Sequence, residues 1–449
     1  MTTRNQSYYA LAVLFSINLM NFYDRLIPGA VGELIKNEWK LSDTALGTLG
    51  TAFVLLYATV GVPLGRIADR YDRSKILAGG VFAWSLLTAG SGLARNFWQL
   101  VTLRLAVGVG EATCAPAAAS LIGDLFPSSS RARAMSIFML GLPIGNALSF
   151  AISGAVAQRW GWQAAFYIAL IPGLACALAA LFIKEPARGA TESHAIGAMR
   201  RDGSPWKLVL SIPTMRWIIV SGALLNFNMY ALGSFLVSYM IRVHGTTLGT
   251  ASFISTAVFG LSGIPGLLIG GWLGDKIAHK RANSRLLLGT LGAVLATPLF
   301  WLGLYLRDHG VVACAVSFGL GGVFLYLYYA TVYPAIQDVI EPSLRGTAMS
   351  LYFFAMYLLG GALGPFGFGQ LSDFFTRRAV AASGSAGTAP LPIHAAEGIH
   401  NAMHIIPILC AVLAAVLWAA SRNFTHDAAK LKDWMSKAAA GGKTQSTTA

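Results

Sequence analysis

Long apolar runs, with almost no charge inside them, dominate this chain. Hydropathy places about twelve, near Tyr8–Pro28, Asp43–Gly65, Ser74–Leu93, Phe97–Leu121, Arg131–Ala157, Gly161–Ile183, Arg216–Met240, Leu248–Leu273, Arg285–Leu306, Gly310–Gln337, Leu344–Phe375 and Ile399–Ala420. Each reaches at least roughly the 20 residues that a 30 Å hydrocarbon core demands. Soluble domains carry about 25% charged residues, whereas these 449 residues are 12% charged and 55% hydrophobic. So little charge cannot cover a soluble surface, and the expected fold class is an all-α polytopic membrane protein. The first run ends in Asn21-Phe22-Tyr23-Asp24-Arg25 without a small-residue cleavage site, so it reads as a retained helix rather than a signal peptide.

The net charge is +14. Nucleic-acid binding would need a basic stripe with aromatics on a soluble face, and the sequence offers none. Lys and Arg instead follow topology. With the N-terminus inside, most of the 33 fall in segments that are then cytoplasmic, so the positive-inside rule places both termini there. Cys114, Cys176, Cys314 and Cys410 lie inside predicted spans without metal-ligand spacing, which suits small packing residues.

The polar, basic segment 184–215 divides the chain, and Glu185-Pro186 stops the sixth helix. The expected units are residues 1–183, an N-terminal six-helix bundle; 184–215, a cytoplasmic linker; 216–420, a C-terminal six-helix bundle; and 421–449, a frayed cytoplasmic tail. The two bundles repeat. Asp124, Arg131 and Ala134-Met135-Ser136 are echoed by Asp338, Arg345 and Ala348-Met349-Ser350, and Gly65-Arg66-Ile67-Ala68-Asp69-Arg70 by Gly271-Trp272-Leu273-Gly274-Asp275-Lys276. Halves repeated in the same sense imply a pseudo-two-fold axis along the membrane normal, with a solute site between them near mid-membrane.

Against that background the intramembrane charges stand out. Arg104 and Glu111 share one apolar helix, and seven residues is about two turns, so both face the same way. Asp24-Arg25 sits in the first helix. An ionised group in hydrocarbon costs roughly 2.5–3.5 kcal/mol on insertion scales and usually marks an ion or substrate pathway. By helical rise, Asp24 lies roughly 24 Å into helix one, Arg104 about 10 Å and Glu111 about 21 Å into helix four. Asp24, Arg25 and Arg104 then share the outer third and Glu111 lies below them, so one neutral cluster of two carboxylates and two guanidiniums is possible. Arg stays charged, whereas burial favours the neutral form of a carboxyl. Glu111 is thus the expected proton carrier, switched by Arg25 or Arg104.

At the cytoplasmic surface, Asp69, Arg70 and Arg73 suggest a gate latch. Asp69 would accept from Arg131 or Arg133 and from the N-terminus of helix eleven at Arg345, where the dipole is positive; Asp275 with Lys276 would be the weaker copy. Candidate cavity residues in the second half are Asn226, Asn228 and Tyr230 on helix seven, with Tyr326, Tyr329, Tyr333 and Gln337 on helix ten. The three helix-ten tyrosines share a face. Glycines and prolines in helices five and eleven, Pro143 among them, suit close approach and bending.

Twelve spans, a central loop and the G-x-x-x-D-[RK] loops resemble the major facilitator superfamily over nearly the whole chain. Asn21–Arg25, then Gly108-Val109-Gly110-Glu111-Ala112, then Leu121-Ile122-Gly123-Asp124-Leu125-Phe126 resemble the Spinster family, whose members are implicated in exporting lysophospholipids and sphingosine phosphate. After Glu-Ala the family wording is polar; here it is Thr113-Cys114-Ala115-Pro116. The resemblance implies a monomeric secondary transporter in a bacterial inner membrane, working by alternating access, driven by protons and moving an amphiphilic or lipid-like solute. An organic-anion/proton symporter, with Arg25 and Arg104 gripping a carboxylate, is the alternative. No phosphate loop, dinucleotide loop or nucleophile-base triad is readable, so neither ATP drive, enzymatic activity nor a cofactor is expected. His400 and His404 lack a third ligand, so no metal is expected either.

Overall fold

Local hydropathy sets the architecture. The computed structural model describes residues 4–68, 71–186, 204–278, 281–341, 344–383 and 390–445, and every regular element among them is helical. The long helices are α1 (Arg4–Trp39), α2 (Asp43–Ala68) and α3 (Arg73–Ser91). There follow α4 (Phe97–Leu125), α5 (Arg133–Trp160), α6 (Trp162–Leu181), α7 (Pro213–His244), α8 (Leu248–Ile277), α9 (Ser284–His309), α10 (Val311–Val339), α11 (Arg345–Ala382) and α12 (Pro392–Met435). Among the described residues, 11 helices are long and apolar enough to cross a membrane. The twelfth, α3, has 19 residues and opens on Arg73-Ser74-Lys75, which dilutes its apolar content. Its packing between α4 and α6 makes it a span like the others.

The helices pair twice in the same pattern. In the first set α1 packs on α5, α2 on α4, and α3 on α4 and α6; in the second α7 packs on α11, α8 on α10, and α9 on α10 and α12. The sets meet along α1–α7, α2–α11 and α5–α8. These seams are tightest away from the N-terminus. A Cβ on Gly29 would stand 2.2 Å from the Gly233 carbonyl oxygen, and one on Gly47 would stand 2.1 Å from that of Pro365. Only hydrogen at these two positions lets the backbones touch.

Several helices depart from expectation for local reasons. α1 does not end at Pro28 but continues through it to Trp39. Proline cannot bond the carbonyl four residues back, here that of Asp24, but packed neighbours hold the helix together. α4 is interrupted at Ala112–Thr113, one residue past Glu111, where Pro116 denies Ala112 its intrahelical partner. π-helical turns occur at Ser149–Ser153 in α5, Thr256–Leu261 in α8 and Met356–Ala362 in α11, all on helices that line the junction between sets. The tail expected to fray from Ser421 instead extends the last helix to Gln445. Phe424 and Asp427 are buried, and the Asp427 carboxylate accepts from Thr214 N at 2.9 Å and Thr214 Oγ1 at 2.6 Å. An acid at the α7 N-terminus meets the positive end of that helix dipole.

The Gly47 approach makes a prediction. Gly47→Val should push α2 off α11 and weaken the closed seam by roughly 1–3 kcal/mol, the usual range for overpacking. Spin labels at the ends of α2 and α11 nearest Asp43 should then report a longer mean distance; an unchanged distribution would show that backbone contact there is not required for closure.

Candidate functional site

Arg25 is the centre of the buried polar region. α1 carries it to mid-molecule, where Nη2 donates to Asn21 Oδ1 at 2.9 Å, one turn back, and to Glu111 Oε2 of α4 at 3.3 Å. Nη1 donates to Tyr230 Oη of α7 at 2.9 Å, so one guanidinium ties the two sets together. Aromatic faces complete its surroundings: Tyr57 at 4.6 Å, Phe22 at 4.8 Å, Phe53 at 4.9 Å and Tyr357 at 5.8 Å from Cζ to ring centroid. Such contacts favour a desolvated cation by about 2 kcal/mol or more at best. Arg104 lies over the same Phe53 ring at 5.2 Å.

The four charges expected to cluster do converge, with distinct roles. Arg25 and Glu111 make the direct pair. Arg104 acts electrostatically on both carboxylates. Asp24, next to Arg25 in sequence, is rotated by a helical step and turns to Trp84 and Thr88 of α3. All four side chains are buried.

Beside Arg25 lies a cavity of about 60 Å³ between the sets. Asn226, Tyr230, Tyr326, Tyr329 and Tyr333 line it, as the sequence suggests. Asn228 and Gln337 do not. Asn228 Nδ2 points to α12, 3.4 Å from both Ile406 O and Cys410 Sγ, and Gln337 is exposed beyond the cavity. Asn226 Nδ2 donates to Met356 O at 3.2 Å and Tyr326 Oη to Phe259 O at 3.1 Å, so these two groups are partly occupied by the protein itself. The sequence reading missed Phe22, Asn146, Phe259 and Tyr357, which also line it. Typical ligand pockets measure about 300–1,000 Å³, so in the observed conformation this cavity is far smaller than one of those.

Ion pairs at the two faces differ. On the face carrying the N-terminus, Arg73 pairs with Asp124 and with Glu185 (2.5 Å) and donates to Ser120 Oγ at 2.7 Å. Arg285 pairs with Asp275 at 3.2 Å and Asp338 at 3.0 Å, and Arg131 donates to Gly123 O at 2.9 Å. These contacts of Arg73, Arg285 and Arg131 stay within one set. Arg345 is exposed, and Asp69 and Arg70 lie outside the described residues. The opposite, far face is bolted across the sets. Arg242 of α7 donates to Glu33 of α1 at 2.6 Å and to Asp43 of α2 at 2.8 Å. Lys36 Nζ adds a 2.5 Å contact to Asp43, and Ser372 Oγ of α11 donates to it at 2.6 Å. Asp373 caps α2 through Asp43 N at 2.9 Å and Thr44 N at 2.8 Å. Among the described residues, the ion pairs that join the sets lie on this far face; the expected Asp69 latch falls outside those residues. The available signal was the gathering of Glu33, Lys36, Asp43, Arg242 and Asp373 at helix ends that a same-sense repeat brings together.

Paired six-helix sets, a buried charge pair and a cavity between the sets define a membrane transporter of the alternating-access kind. Residues 13–365 match the family described as Major Facilitator Superfamily, and the chain belongs to it. It is a Spinster-like member. It is 28% identical over 394 residues to "Protein spinster homolog 3" of Danio rerio, covering 84% of this chain and 78% of that protein. It is 28% identical to an "MFS-type efflux pump" of Mycolicibacterium smegmatis, covering 83% and 86%. A bacterial homologue of the human lysosomal transporter Spinster, crystallised inward-facing and unoccupied, superimposes with a TM-score of 0.85 at 26% identity, over 95% of this chain and 99% of that one. The protein is thus an integral membrane transporter of small-molecule solutes, not an enzyme.

The far latch can be tested directly. Arg242→Gln leaves Glu33 and Asp43 buried without their cation, and breaking a buried pair from one side costs roughly 3–5 kcal/mol. The cost falls on the far-closed state alone, because opening hydrates both carboxylates. Spin-label distances across the ends of α1 and α7 should shift to a longer population; retention of the native distribution would reduce the network to decoration.

Proposed function

We propose that this chain is a proton-coupled secondary transporter of an amphiphilic or lipid-like organic solute, with the face carrying both termini cytoplasmic and the membrane a bacterial plasma membrane. The observation that carries the reading is the double engagement of Arg25, which lines the cavity and pairs with Glu111. An anionic headgroup in the cavity and the ionised Glu111 compete for one guanidinium. Protonating Glu111 frees Arg25 for the solute, and by linkage a bound anion favours the protonated carboxyl. Arg25 cannot give up its proton, so Glu111 is the titrating member. Tyr329, Tyr333, Tyr357 and Phe259 offer the solute's apolar part an aromatic wall.

The two bundles, 1–183 and 216–420, act as the moving bodies, joined by the linker 184–215. The far latch holds the described conformation closed on one side, which supports an inward-facing assignment together with the likeness to inward-facing Spinster homologues. In the outward-facing state the closing contacts pass to the cytoplasmic loops, with Asp69, Arg70, Arg73, Arg131, Asp275 and Arg345 as gate residues. An organic-anion/proton symporter remains the second reading, favoured by the placement of the Arg25 fork at the cavity wall. Transport in proteoliposomes, with and without a pH gradient, against lysolipids and small organic acids separates the two.

Two substitutions test the mechanism. Glu111→Gln keeps the shape and removes the proton site, so uphill transport should fall by roughly 100-fold or more while solute counterflow persists. Undiminished uphill transport would sink the idea. Arg25→Lys keeps the charge and loses the fork. For an amphiphile held mainly by apolar contact, the pH profile of transport should move with a modest change in affinity. A loss of roughly 1–3 kcal/mol in binding at a fixed pH optimum would instead mark bidentate carboxylate recognition.

A further inference from the structure

Asp24 is fully buried, and neither of its carboxylate oxygens has a hydrogen-bond partner among the described residues. Trp84 Nε1 and Thr88 Oγ1 of α3 face it, Ser85 Oγ of α3 packs beside Gly173 of α6, and these atoms, with Arg104 Nε and Nη1 of α4, are buried and fall short of hydrogen-bond geometry with any described residue. An unsatisfied buried polar atom costs about 1–3 kcal/mol, and one internal water satisfies about three such groups. Acceptors on one wall and donors on the others make a site that suits water. The groups sit on one side of α3: Trp84 and Thr88 are one turn apart, and Ser85, Thr88 and Ser91 follow at steps of three. Ser91, also buried, is the last residue of α3 at the far face; its Oγ donates to Leu87 O at 3.0 Å, so it relays a proton only by exchanging that bond. Thr88 lies three residues before it, about 4.5 Å of helical rise. None of Asp24, Trp84, Ser85, Thr88, Ser91 or Arg104 lines the solute cavity.

We propose that the α3 face formed by Trp84, Ser85, Thr88 and Ser91 holds a short chain of water through which protons reach Asp24 from the far face, apart from the solute cavity. The inference rests on the proton-coupling reading and adds a route to it. A proton enters as hydrated H⁺ at the far end of α3 and passes along hydroxyls that each donate and accept. At each hop one O–H bond forms as the next breaks, the last forms on an Asp24 oxygen, and the chain then reorients for the next proton. The ionisable groups facing Asp24 are Arg104 and Glu111 of α4 and Cys176 of α6, with Tyr23 and Arg25 on its own helix; the adjoining stretch of α5, Gly141–Ser153, has none. From Asp24 the charge change is felt at Arg104 and Glu111, so the proton site and the solute site communicate without sharing an opening. The far latch can then stay shut to solute while protons pass.

The test uses the full chain in proteoliposomes. Thr88→Val and Ser85→Ala remove hydroxyls with little change of shape, Thr88→Ser restores one, and Asp24→Asn removes the acceptor. Proton uptake is followed with an entrapped pH dye, and counterflow reports folding and solute binding. Thr88→Val should slow proton-driven transport by roughly tenfold or more with counterflow within about twofold of native, and Thr88→Ser should recover the rate. Difference infrared spectra after a pH jump should show internal-water bands, identified by their shift in heavy-oxygen water, in the native chain and not in Thr88→Val. That spectrum serves even if the valine variant transports poorly, because native chain lacking such bands overturns the proposal. Native rates in both Thr88→Val and Ser85→Ala, with Asp24→Asn inactive, would overturn the route and leave proton coupling standing. Native pH-gradient responses in Asp24→Asn and Glu111→Gln alike would overturn both.

Discussion

A guanidinium that cannot lose its charge sits in the middle of a membrane protein, and much of the surrounding structure answers that fact. Arg25 needs hydrogen-bond acceptors, a counter-ion and polarisable surfaces, because its own solvation has been stripped away. Asn21, Tyr230 and Glu111 meet the first two needs, and the rings of Phe22, Phe53 and Tyr57 meet the third. The partners come from α1, α2, α4 and α7, so the position of each helix at this depth is set by one side chain. Phe53 has a second duty, since Arg104 rests on it as well, and one ring quadrupole attracts both cations.

Adjacency of Asp24 and Arg25 gives the helix a division of labour. Neighbouring residues on an α-helix point about 100° apart, so the pair cannot serve one compartment. Arg25 looks into the cavity and Asp24 into the space beside α3. Glu111 lies between, joined to Arg25 directly and to Asp24 through the field. On the proposed proton-coupled reading, a protonation event on one side of α1 is felt on the other. Among the described residues, the second set carries no comparable buried charge at this depth. It contributes Tyr230, Tyr326, Tyr329 and Tyr333, which shape the cavity.

Charge and hydropathy made much of this legible from sequence. The apolar runs gave the spans, the recurrence of Asp124 and Arg131 as Asp338 and Arg345 gave the repeat, and the cost of intramembrane charge singled out Asp24, Arg25, Arg104 and Glu111. What could not be read depended on which surfaces meet. Asn228 and Asn226 are two residues apart on α7, and only the position of α12 shows that one faces Cys410 while the other reaches Met356. Helix continuation through Pro28, the π turns and the extended last helix are tertiary outcomes that override local preference. The far latch was hidden differently: Glu33, Lys36 and Asp43 look like ordinary charges at a membrane surface until Arg242 is brought against them.

That latch also shows how such a protein can change state. A buried ion pair gains Coulomb energy but loses hydration, and the two nearly cancel. When the far face opens, Glu33, Asp43 and Arg242 recover water as they lose each other, so the net cost of opening is far below the cost of deleting one partner. The glycine seams behave in the same way, since contacts at Gly29 and Gly47 are lost to lipid or water without leaving a cavity that needs refilling. A transporter needs two conformations within a few kcal/mol, so that a solute or a proton can choose between them through its differential affinity. Contacts that are tight in geometry and modest in net energy meet that need. A purely apolar seam of the same area would hold one state too firmly for such small differences in affinity to move it.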